Sequence, residues 1–149
     1  MLKKEFIALY LPLAVKAGAA FRINPVVIVA QAAIETGWGQ SVLAVQYHNF
    51  FGITAYGKPN VWWHGAKALI SEGSLSFRAY PDPASSFMDY ARLIRHAYPR
   101  AADMSFQPAA FAKEIAYSKY ISEVNGDNRE AYRKMLISIC KQVDKSGDS

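Results

Sequence analysis

The sequence predicts a mostly helical α+β domain with a small β-rich insert. Three observations carry this reading. Two cap-and-proline pairs, Asn24-Pro25 and Asp82-Pro83, each open a run with helical spacing. Between those runs, residues 49–80 break into short apolar pieces punctuated by Gly57, Pro59, Gly65 and Gly73. The chain has 149 residues and is 52% hydrophobic, enough for one core without disulfides or metal staples.

Each element follows from local signals. Phe6, Leu9, Leu13 and Ala17 recur at helical spacing, which predicts a first helix over 3–21 with those residues inward. The stretch imitates an export leader, but Glu5 and Lys16 flank its short apolar run and Pro12 lies within it. We read it as part of the domain, so no export signal and no stable membrane insertion are expected. Delivery is then expected as a phage-type lysin, as a secreted effector or as part of a longer protein.

A second helix is expected from Pro25 to Glu35, with Val27, Ala30 and Ile34 inward and Gly37 and Gly39 ending it. A short piece over 41–47 follows. Helices resume at 83–97, with Phe87, Ala91, Ile94 and Tyr98 inward. Two more are expected near 107–117 and 128–143, the last with Tyr132, Leu136, Ile139 and Val143 inward and Gly126-Asp127-Asn128 as its turn and cap. Residues 1–144 are read as one domain, and 145–149 as a polar tail.

Charge and cysteine usage exclude several functions. Lysine and arginine number 17 against 12 acidic residues, for a net charge of +5. That favours an anionic partner. No basic run exceeds Lys3-Lys4, so nucleic acid is not the expected partner. Cys140 is alone, which rules out an intramolecular disulfide, and its apolar helical setting predicts a buried, inert thiol. No Cys/His set has zinc spacing, and no phosphate loop or nucleophile elbow is present. No cofactor and no metal are expected.

Glu35 is the most unusual acidic residue. It closes a helix made of Val, Ile, Ala and Gln. Gln31 lies four residues back and Trp38 three residues on, which puts both on its face of an unbroken helix. A carboxyl group in such surroundings resists ionisation and is suited to donating a proton. A solvent-facing Glu fits the periodicity equally well. A glycosidase usually needs a second carboxylate. In the insert the acidic residue is Glu72, beside Gly73; Asp82 is better explained as a helix cap.

The segment Ala30-Gln31-Ala32-Ala33-Ile34-Glu35-Thr36-Gly37-Trp38-Gly39-Gln40-Ser41 resembles the first block of a known family. His48-Asn49-Phe50-Phe51-Gly52-Ile53 resembles a second block. Phe77-Arg78-Ala79-Tyr80 with Ser86-Phe87-Met88-Asp89-Tyr90 resembles a third. The family is the glucosaminidases of bacterial autolysins and flagellar peptidoglycan hydrolases, glycoside hydrolase family 73. The resemblance runs over about residues 5–140.

It implies a lysozyme-like fold, with a helical lobe and a small irregular β-hairpin lobe flanking a glycan cleft. It implies Glu35 as general acid and Glu72, after Trp63-His64-Gly65, as the second carboxylate. The stretch from Glu72 to Phe77 is short for the family. The family's late catalytic Tyr falls on Tyr120 first and Tyr117 second, in a motif that departs from the family's. Asn49, Phe51 and Gly52 are expected to shape the cleft floor. Gln31, Trp38 and Trp63 join them as candidate substrate contacts, Trp38 more as support for Glu35.

The expected function is an endo-β-N-acetylglucosaminidase acting on peptidoglycan strands, as a monomer. The same cleft suits a muramidase or a lytic transglycosylase. A wall-binding module without turnover is the reading from another class.

Overall fold

A computed structural model describes residues 1–70, 75–121 and 126–147. Among them the helices are α1 (Lys3–Phe21), α2 (Pro25–Thr36), α3 (Val42–Tyr47), α4 (Pro83–Ala97), α5 (Pro99–Asp103), α6 (Pro108–Ala116) and α7 (Gly126–Gly147). None is long and apolar enough to cross a membrane.

The core is built around α2. Val27, Ile28, Val29, Ala30, Gln31, Ala32 and Ala33 are all buried. A helix that is apolar on every side belongs inside, and here α1 and α7 pack against it, with α4 on α1 and α6 on α7. Asn24 starts α2 by accepting the Val26 N–H at 3.0 Å. Its own amide and backbone N–H also bond Ser105 at 3.1 and 2.9 Å, tying the start of α2 to the turn after α5. Gly37 ends the helix in the left-handed conformation, φ +56°.

Helix α1 faces the core at Phe6 and Ala17 as expected, with Leu13 packed beside them, and departs at Leu9. Leu9 is 55% exposed, and the buried residues are Phe6, Ile7, Ala14, Ala17 and Gly18. Gly18 lies where the chain turns back at the end of α1, its carbonyl accepting the Ile23 N–H at 3.0 Å. A β-carbon on Gly18 would stand 2.3 Å from the Ile23 carbonyl oxygen. Helix α5 was not anticipated. Pro99 at its first position is the local signal, and Tyr98 closes α4 and precedes α5. Helix α7 begins at Gly126 rather than 128 and runs on to Gly147, so the first residues of the expected tail are helical. Leu136, Ile139 and Val143 face inward as expected, and burial pushes the Cys140 thiol up to about 12.

The insert is irregular. Among the described residues its pairing consists of two isolated antiparallel bridges, Thr54–Phe77 and Lys67–Arg78. Residues 76–79 run down the middle: Ala55 N–H donates to Ser76 at 2.8 Å, and Ala68 N–H to Phe77 at 2.9 Å. Side chains take over backbone groups that a regular ladder would use. Asn60 accepts the Trp62 and Trp63 N–H groups at 2.8 Å each. Arg78 donates to the Thr54 carbonyl at 3.2 Å and to the Tyr56 carbonyl at 2.5 Å.

A buried polar hub fastens the insert to α4. Asp89 on α4 accepts from Arg78 at 2.7 Å, Asn60 at 2.9 Å and Arg92 at 2.9 Å, and from the Tyr80 hydroxyl. Burial alone pushes the Asp89 carboxyl up. Hydrogen bonds from Tyr80, Asn60 and Arg92 outweigh it and hold the group below the ordinary carboxylate range.

Candidate active site

Glu35 stands in the last turn of α2, and its carboxyl enters a cavity of about 480 Å³. The walls come from four places: Phe51, Gly52, Ile53 and Thr54 after α3; Leu75 and Phe77; Leu93 and Tyr98 at the end of α4; Lys119 and Tyr120 after α6. The side chain meets solvent through the cavity mouth, yet protein crowds the carboxyl on most sides. Burial pushes it up to about 7. At neutral pH such a group is protonated about half the time, as proton donation requires.

Gly52 is the close neighbour. Its backbone is left-handed, φ +65°, and a β-carbon there would lie 3.5 Å from Glu35 Oε2. That separation is ordinary contact, so conformation rather than space demands glycine. Asn49 holds the turn that presents it. The Asn49 amide donates to the Ile53 and Arg78 carbonyls at 3.0 Å each, and its oxygen accepts the Phe51 and Ile53 N–H groups at 3.2 Å. Phe51 stacks on Tyr90 with ring centroids 4.0 Å apart. Asn49 and Phe51 are buried, at 1% and 2% exposure, so they form the floor from beneath.

Tyr120 shares the cavity with Glu35. Its ring packs edge-on against Tyr98 at 5.8 Å, and its hydroxyl points at the Phe51 carbonyl at 3.3 Å. Burial, and then the Glu35 charge, push the hydroxyl well above its ordinary range, so it stays a neutral donor. Tyr117 lies elsewhere. It is half exposed, and its hydroxyl donates to Glu130 on α7 at 2.7 Å. It does not line the Glu35 cavity.

Three other candidate contacts stand back from the cavity. Gln31 is fully buried. Its oxygen accepts from the Tyr90 hydroxyl, and its amide donates to the Tyr132 hydroxyl at 3.0 Å. One helical turn inward from Glu35 is core, not cleft. Trp38 does not share a face with Glu35, because α2 has already ended at Gly37. With φ +61°, Trp38 turns back to α1, edge-on to Phe6 at 5.6 Å and under the Lys3 ammonium at 5.2 Å. Trp63 is buried; its indole N–H donates to Ala66 at 2.8 Å, and the Arg78 guanidinium covers its ring at 4.0 Å. Glu72 lies outside the described residues.

Sequence reasoning did not assign Leu93, Tyr98, Thr54 or Lys119 to the cavity. Tyr98, expected inward on α4, packs against the core and also lines the cavity at the end of that helix. No local pattern marks the others, because the cavity is assembled from segments far apart in sequence.

This architecture is that of the lysozyme-like glycoside hydrolases. The glycoside hydrolase domain of Salmonella typhimurium FlgJ superposes with a TM-score of 0.75 over 99% of this chain and 92% of that one, at 24% identity. A peptidoglycan hydrolase from Sphingomonas sp. A1 gives 0.69 over 98% and 96%, at 25% identity. Within that class, residues 11–145 match the Glucosaminidase family, described as mannosyl-glycoprotein endo-beta-N-acetylglucosaminidase, and the chain belongs to that family. The peptidoglycan hydrolase FlgJ of Pseudomonas aeruginosa is 35% identical over 155 residues, spanning 93% of this chain and 36% of that protein. The chain covers less than half the length of the curated FlgJ relatives it matches.

Proposed function

We propose that this chain is a peptidoglycan hydrolase, an endo-β-N-acetylglucosaminidase that cleaves the β-1,4 bond after N-acetylglucosamine. One observation carries the proposal: the Glu35 carboxyl, raised to about 7, sits in a cavity of about 480 Å³ open to solvent. Family membership supports the glucosaminidase chemistry, and similarity to peptidoglycan hydrolases supports the substrate class. Glu35 protonates the leaving glycosidic oxygen. Tyr120, a neutral donor in the same cavity, hydrogen-bonds the sugar at the reacting centre. Phe51 and Gly52 set the floor beneath the strand.

The insert acts as a small second lobe of the cleft, with Glu72 as the partner carboxylate. Leu75 and Phe77, just beyond it in sequence, line the Glu35 cavity, which supports that assignment. The chain works as a monomer on the cell wall.

Product analysis tests the proposal. Purified peptidoglycan is digested, reduced with borohydride and analysed by mass spectrometry, with Glu35→Gln alongside. Reduced N-acetylglucosamine ends, made by the wild type and not by the variant, are the expected result. Reduced muramic acid ends identify a muramidase and anhydro ends a transglycosylase. Walls bound without any new ends leave a binding module.

A further inference from the structure

The Glu35 cavity has a neighbour. Tyr98, which lines the first cavity, also lines a second one of about 260 Å³, whose wall carries Arg100, Glu114 and Ser118. Ser118 adjoins Lys119, which lines the first cavity. The two hollows therefore sit side by side, with Tyr98 as the ridge between them. Each carries one cation and one carboxylate: Lys119 with Glu35 in the first, Arg100 with Glu114 in the second.

Arg100 is open to an incoming anion. Its side chain is 77% exposed, and its ion pair with Glu114 closes only to 3.3 Å. An exposed pair of that length contributes little. A guanidinium is built to hold a carboxylate by two parallel hydrogen bonds. Removing the peptide leaves one lactyl carboxylate on each muramic acid, held against the sugar ring and so with the strand in the larger hollow. The peptide stem attached to the lactyl group of peptidoglycan brings free carboxylates.

We propose that the second cavity receives a carboxylate of the peptide stem, with Arg100 as its partner and Lys119 as the flanking charge at the junction. This rests on the peptidoglycan reading of the Glu35 cavity. The strand lies in the larger hollow, and the stem crosses the Tyr98 ridge into the smaller one. The chain then prefers peptide-bearing strands to naked ones, and its net charge of +5 acts in the same direction.

Binding tests this without turnover. Glu35→Gln protein is titrated with soluble peptide-bearing strands and with the same strands stripped of peptide by an amidase. Peptide-bearing strands are expected to bind about tenfold tighter, the size of one charge-assisted hydrogen-bond pair. Adding Arg100→Glu is expected to abolish that preference, and Arg100→Lys to keep part of it. Equal binding of the two preparations overturns the proposal. So does an equal loss on both from Arg100→Glu, which makes the second cavity a sugar site. Cleavage by the wild type is scored separately. Failure to cut either preparation removes the hydrolase reading, whereas the stem preference is read from binding alone.

Discussion

Arg78 and Asp89 meet at 2.7 Å in a buried ion pair, and that contact joins the insert to the helical body. Asp89 is wholly buried and Arg78 nearly so. Removing one partner leaves the other charge buried and uncompensated. Asp89→Ala is expected to cost about 3–5 kcal/mol, read as a fall in the denaturation midpoint. A variant as stable as the wild type would show that the pair does not hold the insert.

The same carboxylate sets acid sensitivity. Its folded pKa lies below the ordinary carboxylate value. Its contribution is therefore complete above the unfolded value, about 4, and is lost as pH falls through the folded value. Thermal melts from pH 6 down to pH 2 are expected to show a loss concentrated below pH 4. Asp89→Asn should flatten that slope.

Gln31 bridges two tyrosine hydroxyls behind the cavity. Gln31→Leu keeps the apolar volume and strands both hydroxyls. Each stranded group costs about 1–3 kcal/mol. Chemical denaturation is the measurement, and an unchanged midpoint would remove the bridge from the account.

Gly52 holds a left-handed turn against Glu35. Gly52→Ala puts an L side chain into that conformation at about 1–2 kcal/mol. The melting temperature and kcat are expected to fall together, since the turn forms part of the cavity wall. Loss of stability with kcat intact would separate the turn from the chemistry.

Tyr120 and Tyr117 should behave differently. Tyr120→Phe removes a hydroxyl inside the cavity, and kcat is expected to fall roughly tenfold, the worth of one hydrogen bond. Tyr117→Phe removes a hydroxyl bonded to Glu130 and is expected to change stability slightly. The reverse ranking in steady-state kinetics would move the site toward Tyr117.

Much of this fold was legible in the sequence. Asn24-Pro25 and Asp82-Pro83 are strong local starts, and both begin helices where expected. The buried face of α7 followed from its spacing. On α1 the exposure of Leu9 and the burial of Ile7 and Ala14 were not legible, because helical spacing marks a stripe but not which edge of it the core covers. Glu35 stands out in the sequence by its apolar helix and family motif, and it lines the larger of the two cavities described above. Gln31 and Trp38 misled for one shared reason. Helical spacing gives the angle between side chains, but not where the helix leaves the core or where it stops. Gln31 is still inside the core, and Trp38 comes after the chain has turned at Gly37.

Glu35 is proposed to work as an acid. The direct measurement is the pH dependence of kcat for release of soluble fragments from peptidoglycan, with Glu35→Gln in parallel. The protonated form is the active one, so the rate is expected to fall as pH rises through about 7. Glu35→Gln is expected to lose at least about a hundredfold at every pH. A rate that climbs steadily above pH 7, or a Glu35→Gln variant as active as the wild type, would contradict the assignment.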